Sequence, residues 1–354
     1  MMRSVWSVSV LILLMGFWAS VAWADTDSDV CHAPPQNVDA AAAIAACTRA
    51  LDAGPAEEKR AGLLLDRGLL YANTHAFESA LADLDVTILL RPDNPGAHQV
   101  RGWVHFKMGA AERAIDDFTE ALRLEPGRPA TLWYRGGVFL SIRERTRALE
   151  DFDQAIKLKP DFAEAYADRC LVFIDLGNSD RGIPDCSRAI DLAPDYPYGY
   201  ANRGYGYLRK HDIDRAVADF DHALQLAPDD AEIYSNRGAA FAERGDRERA
   251  IADFDRAIAL APGYSMAYDN RGLTYFEQSD DGRAIADLDK SIALDPKYWR
   301  AYFHRAVVKD HMGDGKGSFE DCGKALALDP DHRGKLSYTR KGLIISDSFS
   351  CSLN

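Results

Sequence analysis

Prolines recur at 92, 126, 160, 194, 228, 262, 296 and 330, a step of 34 residues repeated without insertion. A period of that length holds two helices and their turns and cannot bury its own apolar face, so the chain is constrained to an array in which neighbours cover one another. Counting back from each proline, position −25 is arginine in all eight units: Arg67, Arg101, Arg135, Arg169, Arg203, Arg237, Arg271 and Arg305. Position −24 is glycine except for Cys170 and Ala306. Position −9 is always aspartate, and −8 is large or cysteine, as in Phe118, Phe152, Cys186 and Cys322.

Residues 231–262 show how one unit is built. Ile233, Tyr234 and Phe241 lie at helical spacing over Ala231 to Arg244, and Gly245 is suited to close that helix in the left-handed conformation. Asp246 is placed to cap a second helix carrying Ala250, Phe254, Ala257 and Ile258 on one stripe, and Pro262 ends it. The pattern predicts an all-α fold, an α-solenoid of tandem helix-turn-helix repeats.

The unit length, Gly204 to Tyr207 in the Gly-x-x-Tyr spacing, Ala250, Phe254 and Ala257 in the second helix, and the closing proline together resemble the tetratricopeptide repeat over residues 59–330. The resemblance implies a right-handed superhelix whose concave groove is lined by the first helix of each hairpin. One departure is the arginine at −25, where the family often has an apolar residue; an aspartate at −9 accompanies it in every unit. A charge repeated at every step reads as a structural pair between the two helices rather than as eight anion sites.

The cysteines follow the same ruler. Cys170 and Cys186 occupy −24 and −8, and counting back from Pro55 puts Cys31 and Cys47 in the same two slots. Residues 25–57 therefore read as a degenerate disulfide-linked hairpin ahead of eight repeats over 58–330, with 331–354 as a capping helix and tail. The predicted pairs are Cys31/Cys47, Cys170/Cys186 and Cys322/Cys351, an even set that suits an oxidising compartment.

Residues 1–24 carry Arg3, an apolar run from Val5 to Trp18 and a small-x-small site at Ala22-Trp23-Ala24, the pattern of a cleaved signal peptide. The expected location is the bacterial periplasm, with secretion as the second choice and no membrane insertion after cleavage. A chain with 42 Lys and Arg against 55 Asp and Glu repels phosphate backbones, so nucleic acid is a poor partner.

Nothing in the sequence asks for a cofactor, and it holds no phosphate loop, nucleophile elbow or zinc-protease motif; it reads as no enzyme. His98/His105 and His304/His311 are seven residues apart, about 10 Å along a helix, too far for one metal ion. Asp-x-Asp pairs such as Asp253/Asp255 lack the glycine and terminal glutamate of a calcium loop and read as one inward and one solvated acid.

By resemblance, positions −27, −26, −23 and −20 face the groove. The N-terminal repeats put Trp103, Phe106, Trp133 and Tyr134 there, while the C-terminal repeats put Asn202, Asn236, Asn270 and His304 at −26. Carboxamides at successive steps offer donors and acceptors to an extended peptide, or else brace the neighbouring helix; the aromatics either contact ligand or pack between repeats. The leading expectation is a scaffold that binds an extended or helical segment of a protein partner. The alternative is a carbohydrate-binding or enzyme-associated module of an envelope polysaccharide export system. Oligomeric state is left open.

Overall fold

The computed structural model describes residues 27–34, 38–328, 336–339 and 348–351; the signal peptide expected over 1–24 lies outside them. Eighteen helices occur among these residues. A short pair, α1 (Asp27–His32) and α2 (Ala40–Asp52), precedes eight hairpins. These are α3 (Glu57–Asn73) with α4 (Phe77–Leu90), α5 (Pro95–Lys107) with α6 (Ala111–Leu124), α7 (Pro129–Ser141) with α8 (Arg145–Leu158), and α9 (Ala163–Asp175) with α10 (Ser179–Leu192). They continue as α11 (Pro197–Arg209) with α12 (Ile213–Leu226), α13 (Ala231–Arg244) with α14 (Arg247–Leu260), α15 (Ser265–Glu277) with α16 (Asp281–Leu294), and α17 (Trp299–His311) with α18 (Gly315–Leu328). Helices pack on their sequence neighbours, the arrangement of an α-solenoid. The described residues form two compact units that divide between Val172 and Phe173.

The small column at −24 does what its residue type implies. A Cβ on Gly136 would stand 2.6 Å from the Phe152 ring, and one on Gly238 would stand 2.7 Å from Phe254, so the two helices of a hairpin meet there with no space for a side chain. In the first pair the same slots hold the Cys31–Cys47 disulfide, with Cα atoms 4.7 Å apart. Cys170, Cys186 and Cys322 are disulfide-bonded as well.

The repeat arginines clamp their own hairpins and reach back to the ones before. Arg237 donates through Nε and Nη2 to both oxygens of Asp253, at 2.8 Å each, and through Nη1 to Asp221 of the preceding hairpin at 2.6 Å. Arg271 and Arg305 repeat this with Asp287 plus Asp255 and with Asp321 plus Asp289. The reading of the second acid of each Asp-x-Asp as merely solvated is thereby corrected: half exposed as it is, it holds the next hairpin's arginine. In the degenerate hairpin Thr48 fills that slot and accepts from Arg67 at 3.0 Å.

Gly245 closes α13 at φ +90°, and the Asp246 side chain accepts from the Arg249 amide, as the sequence predicts. The same turn is left-handed at His75, Arg143, His211 and Ser279, where no glycine announces it, so packing imposes the conformation. The tail differs from expectation. Where a capping helix is expected, the described residues of the tail form an antiparallel pair, β1 (Leu336–Thr339) and β2 (Ser348–Cys351), with Leu336 opposite Cys351. The Tyr338-Thr339 and Ser348-Phe349 steps favour strand, and β2 lies against α18.

Candidate functional site

The first helices of successive hairpins are joined by three recurring slots. At three joints the residue at −27 of one hairpin receives the residues at −32 and −26 of the next, and the chemistry of the filling differs from joint to joint.

In the C-terminal unit the joints are polar. Asp269 accepts from the Tyr298 hydroxyl at 3.2 Å, and its other oxygen lies 2.7 Å from His304 Nδ1. One hairpin earlier, Ser235 takes the Tyr264 hydroxyl and, at 3.4 Å, the Asn270 carboxamide. Burial raises the Tyr264 and Tyr298 hydroxyls well above the usual tyrosine range, so both stay protonated donors or acceptors. The Asn236 slot is the exception: its −27 counterpart is Ala201, and among the described residues no hydrogen bond uses the half-buried Asn236 carboxamide. Asn202 is buried.

One cation stands on the same face. Arg300 is exposed, and among the described residues no carboxylate lies within ion-pair distance of it. Its guanidinium stays charged at any working pH. Sequence reasoning missed Tyr264, Tyr298 and Arg300. The signal was available in the tyrosines at −32, which recur as Tyr196, Tyr264 and Tyr298.

In the N-terminal unit the joint between α5 and α7 is also polar, with Gln99 at −27 accepting from Arg128 at −32 at 3.2 Å, whereas the joint between α7 and α9 is filled by packing. Trp133 is 4 % exposed, lies with its ring 5.6 Å from Phe162, and donates its indole N–H to Asp168 at 2.6 Å. Tyr134 is 9 % exposed and stacks on Phe118. Trp103, 8 % exposed, meets Phe77 edge-on under the Lys107 ammonium. Phe106 is half-buried and packs on the same core. Asp168 is 1 % exposed, and its Oδ1 has no hydrogen-bond partner among the described residues. Burial pushes this carboxyl up to about 7, against the lowering effect of the indole and with a further rise from Glu164.

The histidines seven residues apart behave in an unforeseen way. Although their backbone positions are far apart, His105 Nδ1 lies 2.9 Å from Asp117 and His98 Nδ1 lies 3.6 Å from it, so both lean on the acid that Arg101 also clamps. Among the described residues no group of three potential ligands could hold a metal ion, and no helix is long and apolar enough to cross a membrane.

Three tetratricopeptide repeat models match the chain, one at residues 65–129 and 135–197, a second at 204–271 and a third at 267–298. Among solved structures, the Cut9–Hcn1 hetero-tetramer of APC/C is similar at a TM-score of 0.62 and 17% identity, with 86% of this chain and 60% of that one covered. The chain thus spans less than two thirds of that relative. A tetratricopeptide repeat protein from Parabacteroides merdae gives 0.56 and 19% identity over 73% of this chain and 99% of its own. A human IFIT1 dimer with PPP-AAAA gives 0.63 and 17% over 82% and 73%. No curated protein matches the sequence.

Proposed function

The chain belongs to the tetratricopeptide repeat family of protein-interaction scaffolds, and from that premise we propose that its C-terminal unit holds an extended segment of a partner protein against the first helices α11, α13, α15 and α17. The observation that carries this reading is the Asn236 carboxamide, half-buried and, among the described residues, hydrogen-bonded to no side chain. A carboxamide offers a donor and an acceptor together, the pair that an extended main chain presents at every second residue. Asn270 and His304 brace the neighbouring helix and so set the rigid frame in which Asn236 is presented. Arg300, exposed beside Tyr298, adds a preference for an acidic side chain on the bound segment.

Stacking on a sugar needs an open ring face. Trp103 and Trp133 offer none, which argues against the carbohydrate reading. The protein is further proposed to do no catalysis and to work in the periplasm after removal of residues 1–24; its bonded cysteines suit that compartment.

Selection of random linear peptides displayed on phage tests the binding reading. Wild type should enrich a family of segments, and Asn236→Ala should weaken a selected peptide about tenfold, some 1.4 kcal/mol, without moving the urea midpoint. Arg300→Glu should exchange an acidic preference for a basic one. A failure to enrich any peptide, or affinity unchanged in Asn236→Ala, would remove the C-terminal face from consideration.

A further inference from the structure

Position −11 is apolar in every hairpin: Leu81, Ile115, Leu149, Ile183, Val217, Ile251, Ile285 and, in the last, Phe319. Upstream it is a joint. Ile251 on α14 packs into the cluster built by α15 to α18, and Leu81, Ile115 and Leu149 pack into the core of the N-terminal unit. At the end of the array the same position is 73% exposed, although β2 already lies against α18. An aromatic ring left in water on a helix face is costly to keep without a use.

The residue one turn further on tells what covers it. Position −7 elsewhere supplies the acceptor that receives the next hairpin's arginine, as Asp221, Asp255 and Asp289 do. In the last hairpin it is Gly323, and a Cβ there would meet nothing within 4 Å. The face therefore cannot fasten another repeat of the arginine type. It presents a ring and, one turn away on the same face, a flat open spot. A protruding ring and a position without a side chain on one surface can face each other across a two-fold axis.

We propose that the outer face of α18 is a self-association surface whose occupant is α18 of a second copy of this chain, antiparallel, with each Phe319 seated on the partner's Gly323. The flanking exposed side chains support that choice: Lys316, Glu320 and Lys324 alternate in sign, so an antiparallel copy brings each Glu320 near a lysine of the other. A contact of one helix face per copy is small and gives a weak dimer, with a dissociation constant on the order of micromolar. This surface is separate from the first-helix face of the C-terminal unit, so the dimer leaves that face free to hold a segment.

Sedimentation velocity of the oxidised full chain over a concentration series tests the idea. Wild type should pass from monomer to dimer in the micromolar range. Phe319→Glu should weaken association at least about 30-fold, the effect of losing a central anchor, and Gly323→Gln should do the same by placing a side chain where the partner's ring sits; both should keep the wild-type circular dichroism. A wild-type chain that stays monomeric throughout the range overturns the proposal, as does a dimer that both variants leave intact.

Discussion

The joint between α7 and α9 in the N-terminal unit and the joint between α15 and α17 in the C-terminal unit use the same three slots with opposite chemistry. In the first, Trp133 meets Phe162 and Asp168, and the polar groups of these three side chains are the indole and one buried acid. In the second, Asp269 meets Tyr298 and His304, and every member has a hydrogen bond. The arginine clamp at −25 is the same in both units, for Arg135 holds Asp151 as Arg237 holds Asp253. What the two units share is therefore the fastening of helix to helix, and what separates them is the face left over once that fastening is complete. A joint filled with rings has spent its groove face on packing; a polar joint has a surface left to offer.

The sharpest difference is Asp168. Its folded-state carboxyl sits near 7 whereas the unfolded value is near 3.8, so the folded unit prefers the protonated form. The stability this gives is fully present below about pH 4 and is lost progressively as pH rises to about 7. Asp168→Asn, which keeps an acceptor for the Trp133 indole, should equal wild type near pH 4 and exceed it by up to about 4 kcal/mol at pH 8. Urea unfolding of both proteins across that range measures it, and parallel curves would mean the acid is charged at no cost.

The shared fastening gives the next largest effect. Asp151→Ala and Asp253→Ala, counterparts in the two units, should each cost about 3 kcal/mol by stranding a guanidinium that is mostly out of water. Asp221→Ala removes only the half-exposed second partner of Arg237 and should cost under about 1 kcal/mol. Equal losses at Asp253 and Asp221 would break the division between an inner clamp and an outer staple.

The ruler made the fold legible. The closing prolines, the glycine column and the Cys31/Cys47 slots each fixed a contact, because a 34-residue repeat lets one register be read eight times. The positive-φ turns at His75, Arg143, His211 and Ser279 were not legible, since the array and not the residue imposes them. The tail was misread for the opposite reason: outside the repeat there is no ruler, and a short polar segment with Lys and Arg suits helix or strand alike. The candidate site was half legible. Asn202, Asn236, Asn270 and His304 stood out as a column, but their division into bracing and uncommitted members depends on what sits at −27, and Ser235, Asp269 and Ala201 share no residue type. The aromatics failed as groove residues because helical spacing gives a face but not the depth at which that face is covered.

One column decides between packing and presentation most directly, because Tyr134 and Asn236 both stand at −26, in different units. Urea unfolding of Tyr134→Ala and Asn236→Ala, measured side by side, should show the first losing about 3 kcal/mol as a buried stacked ring is deleted and the second losing less than about 1 kcal/mol. Comparable losses in the two variants would contradict the account, for they would make Asn236 part of the array's own structure instead of a group held out to a partner.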